Sequence, residues 1–344
     1  MATGGSSKHR RLLYHSGLPR PMLASALLLL AFTGPAAAFD LQGHRGARGL
    51  APENTLPGFA VALGIGVTTL ELDLVVTADD RLVVVHDLEL DPAITRGPDG
   101  RWLRGTGPAV RSLTLAELRG YDVGRINPLT RYSWQFPRQR PADGARIPML
   151  AEVVALTAAA GDEEVRFNIE TKLDPGRPEL TPEPDAFARL VVEEVRRLGI
   201  EARTTVQSFD WRTLRAVQAL APDVPTVCLT VEQRWADNLE RGRPGASPWL
   251  AGLDRDDFPS VPELVAAAGC RVWSPWFEEL HALALHEAHA LGLGVVPWTV
   301  NDLAAMEALV KGGADGIITD YPDRLRELLV ELDRPVPPPT PLAP

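Results

Sequence analysis

Two carboxylates and an imidazole sit close together along Thr69–Asp87, and their types and spacing suggest metal-assisted or acid/base chemistry. The stretch reads as two strands rich in β-branched and aliphatic residues with a polar break between them. Side chains alternate along a strand, so Glu71 and Asp73 share one face while Leu70, Leu72 and Leu74 share the other. A two-residue turn at Asp79-Asp80 would set Asp73 directly opposite His86. Val165–Lys172 alternates in the same way, with Phe167 and Ile169 on one face and Asn168, Glu170 and Lys172 on the other. Burying Glu170 and Lys172 is costly unless they are paired with each other or serve an ion.

If Glu71, Asp73 and Glu170 point into one space, three negative charges need a counter-charge. A hard divalent cation with oxygen ligands, Ca²⁺ or Mg²⁺, supplies it; a shared proton is the alternative. With an all-carboxylate donor set, His44 and His86 are left for acid/base work. His44 opens Gly43-His44-Arg45-Gly46, in which Arg45 offers a fork suited to phosphate oxygens and the glycines permit close backbone approach.

The scaffold follows from the rest of the chain. Strand-like runs at Leu41–His44, Thr69–Val76, Val165–Lys172, Thr204–Ser208, Thr226–Thr230, Arg271–Ser274, Gly294–Thr299 and Gly316–Thr319 alternate with helix-length segments. The clearest of those are Ala186–Leu198, Trp211–Leu220, Leu280–Leu291, Leu303–Lys311 and Asp323–Leu332. This alternation predicts a (β/α)8 TIM barrel of the α/β class, residues 39–333, with Leu82–Asp87 a hairpin return on the second strand. Residues 88–147, rich in Arg, Pro, Gly and Asp, form an inserted loop subdomain at the C-terminal end of the barrel, with no second hydrophobic core. A second loop spans Arg241–Asp257, and residues 334–344 form a Pro-rich tail, disordered or extended.

Residues 1–38 read as a cleavable signal peptide: Lys8, Arg10, Arg11 and Arg20, then the apolar Met22–Phe32, then Ala36-Ala37-Ala38. This predicts a periplasmic or secreted protein with no stable membrane insertion after cleavage. The two cysteines, Cys228 and Cys270, are compatible with one disulfide or two buried thiols. A formal net charge of -10 argues against nucleic acid as partner, whereas a metal-neutralised site accepts phosphate. His281, His286 and His289 read as a helix surface, and Trp273, Trp276 and Trp298 as pocket mouth or packing.

His44-Arg45-Gly46, Pro52-Glu53-Asn54-Thr55, Glu71-Leu72-Asp73, His86-Asp87 and Ile169-Glu170-Thr171-Lys172, in that order, resemble the glycerophosphodiester phosphodiesterase family. Gln207-Ser208-Phe209, Trp298-Thr299-Val300-Asn301 and Thr319-Asp320-Tyr321-Pro322 extend the resemblance. It implies a TIM barrel that hydrolyses glycerophosphodiesters to glycerol 3-phosphate and an alcohol. His44 and His86 match the acid/base pair, and Glu71, Asp73 and Glu170 the ligands of a divalent cation. Arg45 and Lys172 match phosphate binders, Glu53 a ligand or its neighbour, and Trp298 a pocket wall. A phospholipase D-like enzyme acting on lysophospholipids is the second reading. The turn departs from the family, carrying Asp79-Asp80 where Asp-Gly is usual.

Overall fold

The computed structural model describes residue 1 and residues 38–342; the predicted signal segment lies almost wholly outside the described residues. The strands are β1 Asp40–Gly43, β2 Thr69–Val76, β3 Leu82–Val84, β4 Arg166–Thr171, β5 Thr204–Ser208, β6 Thr226–Thr230, β7 Glu232–Gln233, β8 Ala236–Asp237, β9 Val272–Pro275, β10 Gly294–Val295 and β11 Gly316–Thr319. The helices are α1 Leu56–Ile65, α2 Leu115–Leu118, α3 Tyr132–Gln135, α4 Leu150–Ala159, α5 Pro184–Leu198, α6 Trp211–Leu220, α7 Val261–Ala267, α8 Ala282–Ala290, α9 Leu303–Gly312 and α10 Pro322–Glu331.

Eight strands run parallel in the order β10-β9-β6-β5-β4-β2-β1-β11. Three backbone hydrogen bonds link the open ends: Asp315 N to the Val295 carbonyl, Ile318 N to that of Pro297, and Val300 N to that of Ile318. The result is the expected barrel, nearly closed. The predicted strand Gly294–Thr299 is cut short at Val295, and Pro297 has no N–H to give a ladder. Among the described residues, no helix is long and apolar enough to cross a membrane.

Two strands show how sequence pattern becomes layer structure. All eight residues of β2 are buried, yet its two faces differ. Leu70, Leu72 and Leu74 join the main core with Phe167 and Ile169 of β4, under the helices. Glu71, Asp73, Asn168 and Glu170 point the other way, into the barrel, as the alternation requires. The helices cover the leucine side; α5, for example, sinks Phe187, Val191, Val192 and Val195 on one stripe.

The hairpin register differs from the prediction by one residue. β2 and β3 pair as Leu74–Val84, Val75–Val83 and Val76–Leu82, so Val85, not His86, lies across from Asp73. The loop has three residues, Ala78-Asp79-Asp80, and ends with Asp80 in the left-handed region at φ 55°. A loop of this kind needs one left-handed residue, where a type I′ turn needs two, and aspartate manages one. His86 enters the barrel mouth because the chain leaves the ladder after Val85, not because it faces Asp73 across the ladder.

The segment 88–147 does hold an apolar cluster of its own, against the prediction of none. Leu88, Leu90, Val110, Leu118, Val123 and Ile147 close over Val75, Val83 and Val85 of the hairpin. The hairpin gives it a floor, so a segment with few apolar residues still packs. Cys228 and Cys270 form a disulfide, Cα atoms 5.9 Å apart, joining β6 to the segment two residues before its neighbour β9. The tail is extended and tied down: Arg326 donates to the Pro337 carbonyl at 2.7 Å, and Thr340 N to that of Leu63 at 2.9 Å.

Candidate active site

The C-terminal ends of the barrel strands open into a cavity of about 300 Å³ that contains His44, Arg45, Glu71, His86, Glu170, Lys172 and Trp298. Of the nine residues singled out from sequence, Asp73 and Glu53 are the two not on its wall; both are ion-paired with Arg45, which is.

The turn after β1 is the tightest part of the site. A Cβ on Gly43 would lie 2.1 Å from the Gly46 carbonyl oxygen, and Gly46 itself is left-handed at φ 87° against the backbone of Gly58. Arg45 is left-handed too, at φ 50°, a conformation that non-glycine residues hold only when surroundings impose it. Here they do. Arg45 N donates to Glu71 Oε2 at 2.7 Å, its Nη1 to Glu53 Oε1 at 2.6 Å, and its Nε lies 3.3 Å from Asp73 Oδ2. Tyr132, on α3 of the insertion, donates its hydroxyl to the other oxygen of Glu53.

Each imidazole is anchored by an aspartate through Nδ1. His44 Nδ1 lies 2.7 Å from Asp320 Oδ1, and His86 Nδ1 lies 2.7 Å from Asp87 Oδ1. A carboxylate only accepts, so both rings carry hydrogen on Nδ1 and present Nε2 as a free base. Burial, reinforced by Arg48, lowers the His44 pKa to about 4 against the opposing pull of Asp320. Burial, then Arg45 and Lys172, also lower that of His86. Asp320 accepts twice from Arg48, at 2.7 and 3.0 Å, and once from Asn301 at 2.6 Å. Burial opposes its ionisation, but Arg48 and His44 outweigh burial and hold it well below the usual carboxylate range.

Glu71, Asp73 and Glu170 each offer one carboxylate oxygen, all within 4.8 Å of one another. They come from adjacent positions of paired strands, Asp73 facing Glu170 directly across β2 and β4. Gln207 donates to Glu71 at 2.8 Å, Asn54 to Asp73 at 2.8 Å and Lys172 to Glu170 at 2.6 Å. Asp73 Oδ1 is buried and accepts no hydrogen bond; Lys172 Nζ stands 3.7 Å away. Burial and the neighbouring acids push Glu71 far up. Burial raises Glu170 to about 7 even against Lys172. Asp73 goes the other way: Arg45, His86 and Lys172 overcome its burial and keep it ionised. A cluster of hard oxygens with too few internal donors and an orphaned buried oxygen fits a hard divalent cation.

Sequence reasoning passed over Asp320, Arg48, Asn54, Asn301 and Tyr132 as functional side chains. Asp320 had a signal, since it follows β11 immediately, where barrel catalytic residues lie. Tyr132 had none, because only the folded insertion brings it to Glu53. The three histidines read as surface stay out of the cavity; His281 caps α8 and His289 pairs with Asp315 at 2.9 Å.

A barrel with a charged cavity at its C-terminal rim, two Asp-anchored imidazoles and a carboxylate cluster defines a hydrolytic enzyme of the (β/α)8 class. Residues 44–324 match the family model described as the glycerophosphoryl diester phosphodiesterase family, and the chain belongs to that family. It is 30% identical over 294 residues to a glycerophosphodiester phosphodiesterase of Caldanaerobacter subterraneus subsp. tengcongensis, covering 83% of this chain and 96% of that one. A solved structure of a putative glycerophosphoryl diester phosphodiesterase from Silicibacter pomeroyi aligns with a TM-score of 0.77 at 37% identity, covering 88% of this chain and 96% of that one. A phosphodiesterase of Oleispira antarctica, solved with its product sn-glycerol-3-phosphate, shares the fold with a TM-score of 0.61 at 22% identity, over 84% and 96% of the two chains.

Proposed function

We propose that this cavity hydrolyses glycerophosphodiesters to glycerol 3-phosphate and an alcohol, with His44 and His86 as general base and general acid. The observation that carries the reading is the pair of imidazoles, each fixed through Nδ1 by an aspartate, lining one cavity with the carboxylate cluster. Glu71, Asp73 and Glu170 are the residues that would hold a divalent cation, Ca²⁺ or Mg²⁺. When bound, such a cation polarises the phosphoryl oxygens and offsets the charge that builds there.

The chain's own groups do the rest. Lys172 and the two arginines at the end of β1 supply donors for the non-bridging phosphate oxygens. Arg45 is already held between Glu53 and Asp73, so it cannot swing away from the cavity. His44 is neutral at physiological pH, and its free Nε2 accepts a proton from the attacking water as the water oxygen bonds to phosphorus. His86, whose protonated form the arriving phosphate charge favours, returns a proton to the alkoxide as the phosphorus–oxygen bond to the alcohol breaks. Phe209 and Trp298, edge to face at 5.1 Å, are aromatic walls of the same cavity.

Glycerol phosphate release from several glycerophosphodiesters tests this directly. Activity should vanish in excess chelator, return with Ca²⁺ or Mg²⁺, and be absent in His44→Ala. Full activity in chelator with no bound metal would overturn the metal assignment. Export is the proposed context, supported by the order of basic, apolar and small residues over 1–38 and by the disulfide, which suits an oxidising compartment. A mature N-terminus near Phe39 is the result expected from N-terminal sequencing of the expressed protein.

A further inference from the structure

At the cavity mouth three tryptophans meet at steep angles. Trp235 and Trp276 lie 5.2 Å apart at 77°, Trp276 and Trp298 5.3 Å apart at 68°, and Trp235 and Trp298 6.3 Å apart at 87°. Three planes so inclined make the corner of a box. Trp276 and Trp298 are also walls of the catalytic cavity, so the corner is continuous with the site of phosphate chemistry. Trp235 stands on the two-residue turn between β7 and β8 and is 60% exposed. Core packing gives no reason for an indole held there.

The segments that carry the corner are acidic. Glu278 Oε2 lies 3.4 Å from Trp276 Nε1. Glu279 Oε1 accepts from Glu232 N at 2.9 Å and from Gln233 Nε2 at 2.7 Å, which joins the turn of Trp235 to the segment of Trp276. Burial first, and Glu279 among its neighbours, raise the Glu232 pKa. Indole faces carry a negative quadrupole, and with carboxylates behind them they attract a cation. A methylated ammonium suits such a corner better than a primary one, because it has no N–H to leave unsatisfied against carbon.

We infer that the Trp235–Trp276–Trp298 corner is the head-group subsite, and that it takes diesters whose alcohol bears a quaternary ammonium, as choline does. This deepens the phosphodiesterase reading above and rests on it. The test compares wild type, Trp235→Ala and Trp235→Phe on three water-soluble substrates: glycerophosphocholine, glycerophosphoethanolamine and glycerophosphoglycerol. Trp235→Ala is expected to lower kcat/KM for the choline diester about tenfold, to leave the glycerol diester unchanged, and to be largely rescued in Trp235→Phe. Equal losses on all three substrates, or none on the choline diester, overturn the inference while leaving the phosphodiesterase reading intact. A loss confined to lysophospholipid vesicles would also overturn it, and would mark the rings as a lipid-surface contact. Binding of tetramethylammonium, followed by quenching of tryptophan fluorescence, reads the corner without catalysis. Saturable binding lost in Trp235→Ala, in a protein that cleaves none of the diesters, would keep the subsite and refute the phosphodiesterase reading. No saturable binding by the wild type would refute the subsite.

Discussion

Asp320 Oδ1 is 2.7 Å from His44 Nδ1 and also 2.7 Å from Arg48 Nε, so one carboxylate, at the end of β11, fixes the imidazole that follows β1. β1 and β11 are paired neighbours, and closing the barrel is what brings the two residues together from 276 positions apart. The bond sets the tautomer that leaves Nε2 free. Asp320→Asn preserves shape but offers an amide that can settle with its NH₂ toward Nδ1, which favours the wrong tautomer. We expect kcat to fall on the order of 100-fold with KM little changed, as measured by initial rates. An unchanged kcat would remove His44 from acid/base chemistry.

His44→Ala and His86→Ala should each lower kcat by roughly 10² to 10⁴, and the double variant by much less than the product of the two, because both act in one step. Neither ring is a ligand in the proposed scheme. Metal content after dialysis against Ca²⁺ or Mg²⁺ should therefore stay at the wild-type level in both. Loss of bound metal in His86→Ala would make His86 a ligand.

Cation binding should depend on pH in a direction set by Glu170. Its carboxyl is raised to about 7 by burial, so in the metal-free protein it holds a proton below that pH, and a cation must displace it. Affinity should weaken as pH falls below about 7, by up to tenfold per unit for each proton displaced, and Glu71, pushed up as well, adds a proton of its own to displace. Calorimetry in two buffers of different ionisation enthalpy would count the protons released. Glu170→Gln should remove Glu170's share of that release and most of the binding.

Much of this was legible in the primary structure because strand periodicity is rigid. The alternation in β2 and β4 puts Glu71, Asp73 and Glu170 in the lumen, because only a register that turns the leucines, Phe167 and Ile169 toward the helices buries them. The hairpin was misread by one residue because turn type, not alternation, fixes its register, and Asp80 alone takes the left-handed conformation. Tyr132 and the cluster around Leu118 and Val123 stayed hidden for a different reason. A loop with sparse apolar residues shows no period, and its packing depends on a floor supplied by β2 and β3. Asp320 is an intermediate case, visible by position and invisible by pattern.

Removing the disulfide should cost stability without touching chemistry. Cys228 and Cys270 close a loop with sequence separation 42, for which the chain-entropy model gives about 4 kcal/mol. Neither sulfur lies in the catalytic cavity. The double variant Cys228→Ala/Cys270→Ala should unfold at lower denaturant by about 2–4 kcal/mol in equilibrium measurements, with kcat at 25 °C near that of the parent. An equal loss of activity in the folded range would mean that the bridge sets the geometry of β6 and β9 beneath the site.

The bond from Tyr132 to Glu53 ties the inserted segment to the catalytic arginine loop. Glu53 is buried, and burial opposes its charge, while Arg45, Arg48 and the tyrosine hydroxyl hold it ionised. Tyr132→Phe removes one donor to a buried carboxylate and leaves the ring packed on Phe136, 5.1 Å away. A lost hydrogen bond to a charged group costs about 1.5–3 kcal/mol, part of it shared out as looser positioning of Arg45. We expect kcat/KM to fall roughly 5- to 20-fold, mostly through KM, because Arg45 grips ground state and transition state alike. Glu53→Gln should do the same. If Tyr132→Phe lowers stability but not kcat/KM, the insertion is a lid on the fold and plays no part in holding the phosphate.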